Sequence, residues 1–410
     1  MRLPCVLFLC GLPVVDRVIK YADEQSLTAG RLNAVNGKRM FRSFELKIES
    51  VDTAIYLVPR QPGLSSASAR IESTSLILAK IHSDDGLEGI GWTYSHGTSG
   101  LAMKEAIDTL FAQRLVGQDP SDTERLWDSM WNSVFPNISM AGLTAVAISP
   151  VDIALWDLVG KSTGKPIFRL IGGHRESIPA YGSGLDLAYS TEDLLGEVEN
   201  YMQQGFWGVK IKVGRDRLDE DIERLRAVRQ AIGPYTPLMV DANQRWSVGE
   251  AISRIRAMEE FNLFWVEEPV QADDHIGYEQ LSRIVNTPLA GGEGQHQLEQ
   301  FLDLFQRGCI HFVQADVCRV GGVTGWLRIA RLADAYHLPM VPHLVEELSV
   351  HLCCGVSNGF LVEHLPTLNL NNTGLIVDPL MPEGGTVTPR ETPGHGVQFD
   401  MDALAQYQIG

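Results

Sequence analysis

Three carboxylates recur at equal spacing in the middle of the chain. Asp241, Glu267 and Glu293 each end a short apolar run, and each interval is 26 residues (267 − 241 and 293 − 267). That interval is about one strand-plus-helix unit of an α/β barrel. Carboxylate oxygens without thiolate or imidazole suit Mg2+ better than Zn2+. A lone acid after a strand more often caps the following helix, but the repeated spacing indicates one site for a hard divalent cation.

Two lysines precede the acids. Lys210 and Lys212 are two residues apart, so on a strand their side chains share one face. Lys-x-Lys is most often a solvated edge pattern, yet here the lysines alternate with apolar residues. Two ammonium groups side by side lower each other's pKa, which would leave one lysine able to act as a base near neutral pH.

An acid and a histidine follow the same region. Asp316 and His343 end two later apolar runs that are predicted to be adjacent strands. A carboxylate beside an imidazole fixes the ring tautomer and raises its basicity, so the pair could transfer protons. His343 directly follows Pro342, and a core histidine is an equally good interpretation of the local sequence.

Eight segments are typical of short buried strands, with amphipathic stretches between them. They are residues 178–184, 208–213, 237–242, 263–267, 288–292, 311–315, 339–342 and 360–363. Eight such units favour a closed (β/α)8 barrel over an open sheet. A barrel has its active site at the carboxyl ends of its strands, so the residues named above, with Glu363 after the eighth strand, are predicted to meet there.

The preceding residues show strands first and helices after, which is typical of an α+β domain. The pattern predicts strands over 44–51 and 76–81 and helices over 102–115, 120–134 and 143–163, the last with a kink at Pro150. Residues 59–69, rich in Ser, Pro and Gly, are expected to be a mobile loop. We expect four parts: an extension over 1–43, an α+β capping domain over 44–166, the barrel over 167–372, and a segment over 373–410 that returns to the cap.

Composition narrows the function. The 410 residues are 44% apolar, and 34 basic against 51 acidic residues give a net charge of −17, which makes nucleic acid a poor partner. Motifs for nucleotide binding are absent. After residue 45 no run approaches the roughly 20 uncharged apolar residues of a membrane span. A small anionic substrate would need a local cationic site.

Cysteine usage points to a reducing compartment, and we expect a cytoplasmic protein. The six cysteines, at positions 5, 10, 309, 318, 353 and 354, show neither a paired disulfide spacing nor a CxxC motif. The first residues combine a charge with the apolar run 3–15, as a secretion signal does, but Pro4 and Pro13 interrupt it. A signal, an early start codon and a disordered extension all stay open.

Together these motifs resemble the mandelate racemase group of the enolase superfamily, from about Phe44 onward. The matching motifs are Lys210-Ile211-Lys212, Val240-Asp241-Ala242-Asn243-Gln244, Val266-Glu267-Glu268-Pro269, Gly292-Glu293, Asp316 with Gly321-Gly322-Val323-Thr324-Gly325, His343-Leu344 and Val362-Glu363. The segments 148–157 and 83–86 are also similar to the acid-sugar dehydratases of that group, notably those that act on galactarate and talarate.

The resemblance implies a role for each matching residue. Asp241, Glu267 and Glu293 would bind one Mg2+ per subunit. Lys212 would be the base on one face of the substrate, and His343, oriented by Asp316, would act on the opposite face. The remaining roles concern the substrate carboxylate: Lys210 would contact it and lower the pKa of Lys212, Glu363 would hydrogen-bond the oxygen that becomes the enediolate, and Asn243 would contact the substrate near the metal.

The implied function is a Mg2+-dependent dehydratase of a sugar acid, either an aldonate or an aldarate, that yields a 2-keto-3-deoxy acid. A racemase or epimerase of a 2-hydroxy acid is one alternative, because a base on each face serves both outcomes. A barrel that binds sugar acids without catalysis is another. Oligomers are common in this family, so a homo-oligomer is expected.

Specificity is expected to depend on the first domain, where 59–69 and 94–100 would close over the barrel mouth. A diacid would need a distal cation, which Arg60, Arg70 or His96 could supply. The residues 96–99 do not reproduce the basic loop of the dehydratases that this chain resembles.

Overall fold

The described chain begins with a three-stranded antiparallel sheet. The computed structural model describes residues 46–134 and 142–409, so the extension predicted over 1–43 lies outside the described residues. The strands are β1 (Ile48–Ser65), β2 (Arg70–Ser83) and β3 (Glu88–His96), in the order β1-β2-β3. β3 is absent from the sequence prediction, because its glycines and hydroxyl residues hide the alternation of its side chains.

The expectation of a mobile loop over 59–69 is wrong for most of that segment. β1 continues to Ser65 and pairs with β2 through Pro59↔Ser73 and Ser65↔Arg70, with an irregular register between Pro59 and Leu64. The turn of this hairpin takes only residues 66–69. Pro and Ser are tolerated here because an irregular edge strand does not need every backbone donor.

Helices cover one face of this sheet. They are α1 (Gly100–Ala106), a π-helical turn (Ile107–Phe111), α2 (Ala112–Leu115), α3 (Thr123–Ser133), α4 (Leu143–Thr163) and α5 (Ile167–Ile171). α4 is one helix through Pro150 and is almost entirely buried. Its length and hydropathy would allow it to cross a membrane, the one such helix among residues 46–134 and 142–409, but 83% of the relevant window is buried inside the protein. Burial of this kind is what a core helix shows.

A second sheet, of parallel strands, alternates with helices. Its strands are β4 (Ile178–Leu185), β5 (Val209–Lys212), β6 (Leu238–Asp241), β7 (Trp265–Glu267), β8 (Leu289–Gly291), β9 (Phe312–Val313) and β10 (Val362–His364). The helices are α6 (Thr191–Gln203), α7 (Leu218–Ile232), α8 (Val248–Met258), α9 (His275–Ser282), α10 (Leu298–Arg307), α11 (Gly322–Ala335) and α12 (Glu346–Gly355), with a 3-10 turn at Glu259–Phe261. Ser190 caps α6, and Ser247 with Glu250 forms a capping box on α8.

The parallel sheet curls into a ring. β10 pairs with β4, and β4 to β9 follow one another in chain order. Between β9 and β10 lies the segment 339–341, whose Met340 bridges both Val313 and Gly359. The backbone N–H of Val341 donates to Val313 and that of Phe360 donates to Met340, each at 2.9 Å. Together with the seven strands, this segment makes eight positions around the ring, so the fold is the (β/α)8 barrel that the sequence predicts.

The interior of the ring has two layers. The layer toward the amino ends of the strands is an apolar core of its own, made of Tyr181, Met239, Trp265, Ala290, Val341 and Leu361. Two residues further along the chain, and therefore on the same side of each strand, come Ser183, Asp241, Glu267, Gly292, His343 and Glu363. A polar layer thus lies directly on an aromatic and aliphatic floor.

The last residues return to the first sheet. They contain a 3-10 turn (Leu370–Asn372), β11 (Thr386–Val387), which pairs with β4, and α13 (Met401–Ala405). The backbone N–H of Leu57 donates to Tyr407, and that of Ile409 donates to Ile55. His395 and Phe399 pack edge-on against Trp92 of β3.

Candidate active site

Lys210 is the centre of the polar layer. Val209 and Ile211 belong to the core between strands and helices, which leaves both lysines of β5 for the interior of the ring. The Nζ atom of Lys210 lies 2.7 Å from Glu267 Oε1 and 2.8 Å from Glu363 Oε1. Burial alone would lower the pKa of Lys210, but these two carboxylates outweigh it and hold the pKa well above its usual value.

Lys212 is paired with an acid, which corrects one expectation. Its Nζ lies 2.5 Å from Asp241 Oδ2, across the β5–β6 register. Burial and the charge of Lys210 both lower the pKa of Lys212, yet Asp241 raises it further, so the net shift is upward. The prediction that the lysine pair by itself leaves one amine neutral is therefore wrong in this arrangement, because the nearest charge is a carboxylate.

Asp316 and His343 come together as predicted. His343 Nδ1 lies 2.8 Å from Asp316 Oδ2, and both side chains are buried. The hydroxyl of Tyr94, on β3, donates to the same Asp316 oxygen at 2.5 Å and lies 3.4 Å from His343 Nδ1. Burial would lower the pKa of His343, but Glu293 and Asp316 raise it above its usual value. The core-histidine alternative is disfavoured by this charged setting.

Arg319 connects this pair to the third acid of the series. Its guanidinium lies 3.5 Å from Asp316 Oδ2 and 3.3 Å from Glu293 Oε1, and it also donates to Tyr94. On the other side of Glu293, Oε2 lies 3.2 Å from His343 Nε2. Glu293 therefore shares its charge between a histidine and an arginine.

Glu363 acts here as an acceptor. Ser183 donates to its Oε1 at 2.7 Å, and the backbone N–H of Leu344 donates to its Oε2 at 3.1 Å. Burial would raise the pKa of Glu363, but the charges of Lys210 and His343 lower it to about 2. The expected hydrogen bond from Glu363 to an enediolate oxygen would need a proton that the ionised group lacks. In this structure Glu363 holds Lys210 and the backbone next to His343.

The three equally spaced acids each have a cationic partner. Asp241 and Glu267 are register partners across β6 and β7, but Asp241 is bound by Lys212, Glu267 by Lys210, and Glu293 by Arg319 and His343. Within residues 46–134 and 142–409, no group of three His, Cys, Asp or Glu side chains meets in metal-binding geometry.

The chemistry of these donors nevertheless fits a hard cation. Glu267 has a pKa raised to about 7 by burial and by its acidic neighbours, despite Lys210. The pKa of the adjacent Glu268 is raised well above its usual value by burial and then by Glu293 and Asp241. The four acids of this region repel one another in a buried space, and a divalent cation would stabilise their negative charge. They are Asp241, Glu267, Glu268 and Glu293.

Unpartnered acceptors support the same conclusion. The side-chain oxygens Glu268 Oε1, Asn243 Oδ1 and Gln314 Oε1 are buried and lack a hydrogen-bond donor. Buried acceptors of this kind are rare in proteins and call for a ligand or an ion. These acceptors are all carboxylate or amide oxygens, a set that favours Mg2+ over Zn2+.

The residues predicted to bind substrate lie in different places. Asn243 donates through both its backbone and its side chain to Asp241, so it fixes that acid at the barrel mouth. His96 lies at the end of β3, partly exposed, beside the catalytic candidates. Arg60 lies on β1, with its guanidinium donating to Thr74 and to the carbonyl oxygens of Thr367 and Leu368.

Sequence reasoning missed two residues of the site, Tyr94 and Arg319. Tyr94 belongs to a strand that was not predicted, and 222 residues separate it from its partner Asp316. Arg319 follows Asp316 by three residues, and a basic residue so close to a proposed catalytic acid was the available signal. The function of each depends on contacts between distant parts of the chain.

Two family profiles match most of the described chain. Residues 50–172 match the mandelate racemase / muconate lactonizing enzyme N-terminal domain. Residues 193–403 match the enolase C-terminal domain-like family.

Individual relatives extend this similarity over nearly whole chains. The 3,6-anhydro-alpha-L-galactonate cycloisomerase of Streptomyces coelicolor is 34% identical, covering 88% of this chain and 100% of the relative. The L-talarate/galactarate dehydratase of Salmonella typhimurium is 36% identical over 79% of this chain and 82% of its own length. The crystal structure of that dehydratase with Mg and L-lyxarohydroxamate matches with a TM-score of 0.85 and 31% identity, covering 93% of this chain and 98% of the other.

Proposed function

We propose, because the chain belongs to the mandelate racemase group of the enolase superfamily, that this enzyme is a Mg2+-dependent dehydratase of a sugar acid. The observation that carries the proposal is the pair of proton-transfer candidates in the polar layer. Lys212 ends β5 and His343 follows the segment 339–341, and the buried acids Asp241, Glu267 and Glu293 follow the strands that come between them in ring order. Such an arrangement serves proton removal next to a carboxylate and a second proton transfer on another face.

Asp241, Glu267 and Glu293 would hold the metal. Mg2+, when bound, supplies positive charge that stabilises the ene-diolate, as is general in this superfamily. Asn243 orients Asp241 through two hydrogen bonds, and Gln314 donates to Glu267 at 2.5 Å. These contacts set the direction of the carboxylate oxygens, which a metal site requires of its surroundings.

The protein residues perform the proton transfers. Lys212 would act in its neutral form, which requires that Asp241 be engaged by the bound cation and no longer hold the ammonium group. It would then take the proton from the carbon α to the carboxylate at its Nζ, and the electron pair of that C–H bond would move onto the carboxylate. Lys210, held by Glu267 and Glu363, presents a fixed positive charge to the substrate carboxylate. His343 donates from Nε2 to the β-hydroxyl as its C–O bond breaks, so that water leaves. The resulting enol tautomerises to a 2-keto-3-deoxy acid.

A racemase or epimerase is the second candidate, favoured by the same two groups. If His343 returned a proton to the α carbon instead of protonating a hydroxyl, the configuration would invert. The relatives named above include a dehydratase and a cycloisomerase, so the family alone does not choose between elimination and isomerisation.

A panel of acid sugars in deuterated water with Mg2+ tests the proposal. We expect formation of a 2-keto-3-deoxy acid that carries solvent deuterium at C3, where the enol is reprotonated, and any exchange at C2 to appear in the recovered substrate; proton NMR and a keto-acid assay measure both. Lys212→Ala and His343→Asn should each lower the rate of keto-acid formation by about 10²-fold or more. Exchange without any keto acid would favour the racemase, and an unchanged rate in both variants would contradict the assignment of the bases.

A further inference from the structure

A cavity between the first sheet and the barrel begins beside the catalytic candidates. Tyr94, which donates to Asp316, and Leu344, which follows His343, form its inner wall. Its other walls are mostly apolar, with Val58, Leu76 and Trp92 from the three strands of the first sheet. A substrate whose α carbon is next to His343 would extend its distal end into this space.

The cations near the cavity are already engaged. Arg60 lines it, but each of its guanidinium nitrogens donates to the protein: Nε to Thr74, Nη1 to the Thr367 carbonyl and Nη2 to the Leu368 carbonyl. Arg319 is held by Glu293 and Asp316. Arg60 therefore positions the segment after β10 against β1, and the charge that acts on its guanidinium from the same cavity wall is that of Glu347.

His96 does not replace them. Burial and then the charges of Arg319 and His343 lower its pKa to about 4, so its ring is neutral at pH 7. Arg70 is exposed and lies near Glu72, with its Nε 3.7 Å from the carboxylate. None of the three cations expected from the sequence to bind a distal carboxylate is thus placed as a free charge in the cavity.

One polar atom in the cavity wall lacks a partner. Glu347, at the start of α12, is 2% exposed and lines the cavity. Its Oε1 accepts a hydrogen bond from the backbone N–H of Asn371 at 2.9 Å, whereas Oε2 is buried without a partner. A substrate hydroxyl would satisfy this oxygen, since buried polar groups are almost always hydrogen-bonded.

A second carboxylate would be poorly accommodated in the same place. It would lose its hydration among apolar side chains, and it would approach Glu347, whose own pKa burial already raises to about 7 because this space disfavours negative charge. We propose that the cavity holds an uncharged, hydroxyl-bearing distal end of the substrate, hydrogen-bonded to Glu347 Oε2, so that the enzyme selects sugar monoacids over diacids. This inference rests on the proposed function and names the substrate class of the same site.

Paired substrates test the selection directly. Each pair consists of an aldonate and the aldarate that differs from it only at the terminal carbon, for example galactonate with galactarate and gluconate with glucarate. We expect kcat/KM for the aldonate to be at least tenfold higher in every pair that reacts. A reactive pair in which the aldarate is equal or better would overturn this inference and leave the proposed function standing. The absence of both keto-acid formation and deuterium exchange at C2 with every acid of either class would overturn the proposed function and with it this inference.

Two variants test whether the preference for aldonates over aldarates arises from the cavity. His96→Arg places a permanent cation at a partly exposed position, where folding is not at risk, and Glu347→Gln removes the acid at nearly constant shape. We expect each to reduce the aldonate-to-aldarate ratio of kcat/KM by at least tenfold. Arg70→Ala is the matched control and should leave the ratio unchanged. An unchanged ratio in His96→Arg would overturn the placement of the distal end in this cavity.

Discussion

Tyr94 is the residue through which the first sheet reaches the proton-transfer pair. Its hydroxyl donates to Asp316, while Arg319 donates to the same hydroxyl and lies over the Tyr94 ring at 5.7 Å. Asp316 is therefore contacted both from the first sheet, by Tyr94, and from the barrel, by Arg319. The orientation of the His343 ring depends on this acid, as in other acid–histidine pairs.

We expect Tyr94→Phe to slow the step that uses His343. Loss of one hydrogen bond to a charged group corresponds to about 1.5–3 kcal/mol, or roughly tenfold to a hundredfold in kcat. KM and the rate of α-proton exchange assigned to Lys212 should change little, because Lys212 lies on the other side of the ring. Tyr56→Phe, in β1 at the opposite edge of the same sheet, is the control. Equal loss of both exchange and keto-acid formation would show that Tyr94 has only a structural role.

For single residues, the sequence predicts which side chains belong to the site better than it predicts the direction of their pKa shifts. The acid series, the lysine pair and the Asp316–His343 pair all lie in one polar layer, because residue type and strand period determine which side chains face the interior. The pKa of Lys212 was predicted in the wrong direction, since Asp241 is 29 residues away in sequence and 2.5 Å away in space. Arg60 was expected to bind substrate, but its donors are used by carbonyl groups that no local pattern reveals.

β3 packs closely against α4. Gly89 and Gly91 allow it: a Cβ on Gly91 would lie 2.1 Å from the Pro150 carbonyl oxygen, and one on Gly89 would lie 2.2 Å from that of Ala154. These are backbone atoms, which cannot rotate away. Since β3 carries Tyr94 and His96, this contact also helps to fix the positions of these two residues relative to the barrel.

Gly91→Ala should therefore lower the thermal midpoint and the activity together. We expect a destabilisation of about 1–3 kcal/mol from overpacking. Gly196→Ala is the control, because it lies in α6 with nothing within 4 Å of an added Cβ, and there alanine should stabilise the helix by about 0.5–1 kcal/mol. Similar midpoints for the two variants would contradict the argument from close packing. Differential scanning fluorimetry provides the comparison.

Elements with strong patterns were predictable, and those shaped by tertiary contacts were not. The barrel strands have buried apolar runs that stand out in any window, and α4 shows clear helical spacing. The end of β1 shows no such pattern, because Pro, Gly and Ser form strand there only by pairing with β2 and through Asp186, which accepts from the Ser65 backbone. The barrel segment 339–341, which is the seventh of the eight in chain order, is held by single bridges on each side.

For the whole molecule, the concentration of acids in the polar layer makes stability depend on cations. Mg2+ should raise the thermal midpoint, by an amount equivalent to about 2.7 kcal/mol at a concentration a hundredfold above its Kd. EDTA should reverse the shift and abolish keto-acid formation. Sodium chloride at equal ionic strength controls for general screening. An equal Mg2+ shift in Asp241→Asn would contradict the assignment of Asp241 as a ligand.

The parts of the fold that frame the site come from distant regions of the sequence. The four-part division of the chain and the homo-oligomer stay predictions, whereas the barrel and the sheet that precedes it are observed. Four of the six cysteines lie in the described residues, and all four are buried free thiols.

The pairing of residues 407–409 with β1 has a consequence for how the protein is made. Tyr407 is translated 350 residues after Leu57 (407 − 57), so the ribosome delivers nearly the whole barrel before β1 receives its second hydrogen-bonding neighbour. During that interval the outer edge of β1 is open to pairing with other nascent chains. Synthesis of residues 407–409 is thus the event that allows this edge to close.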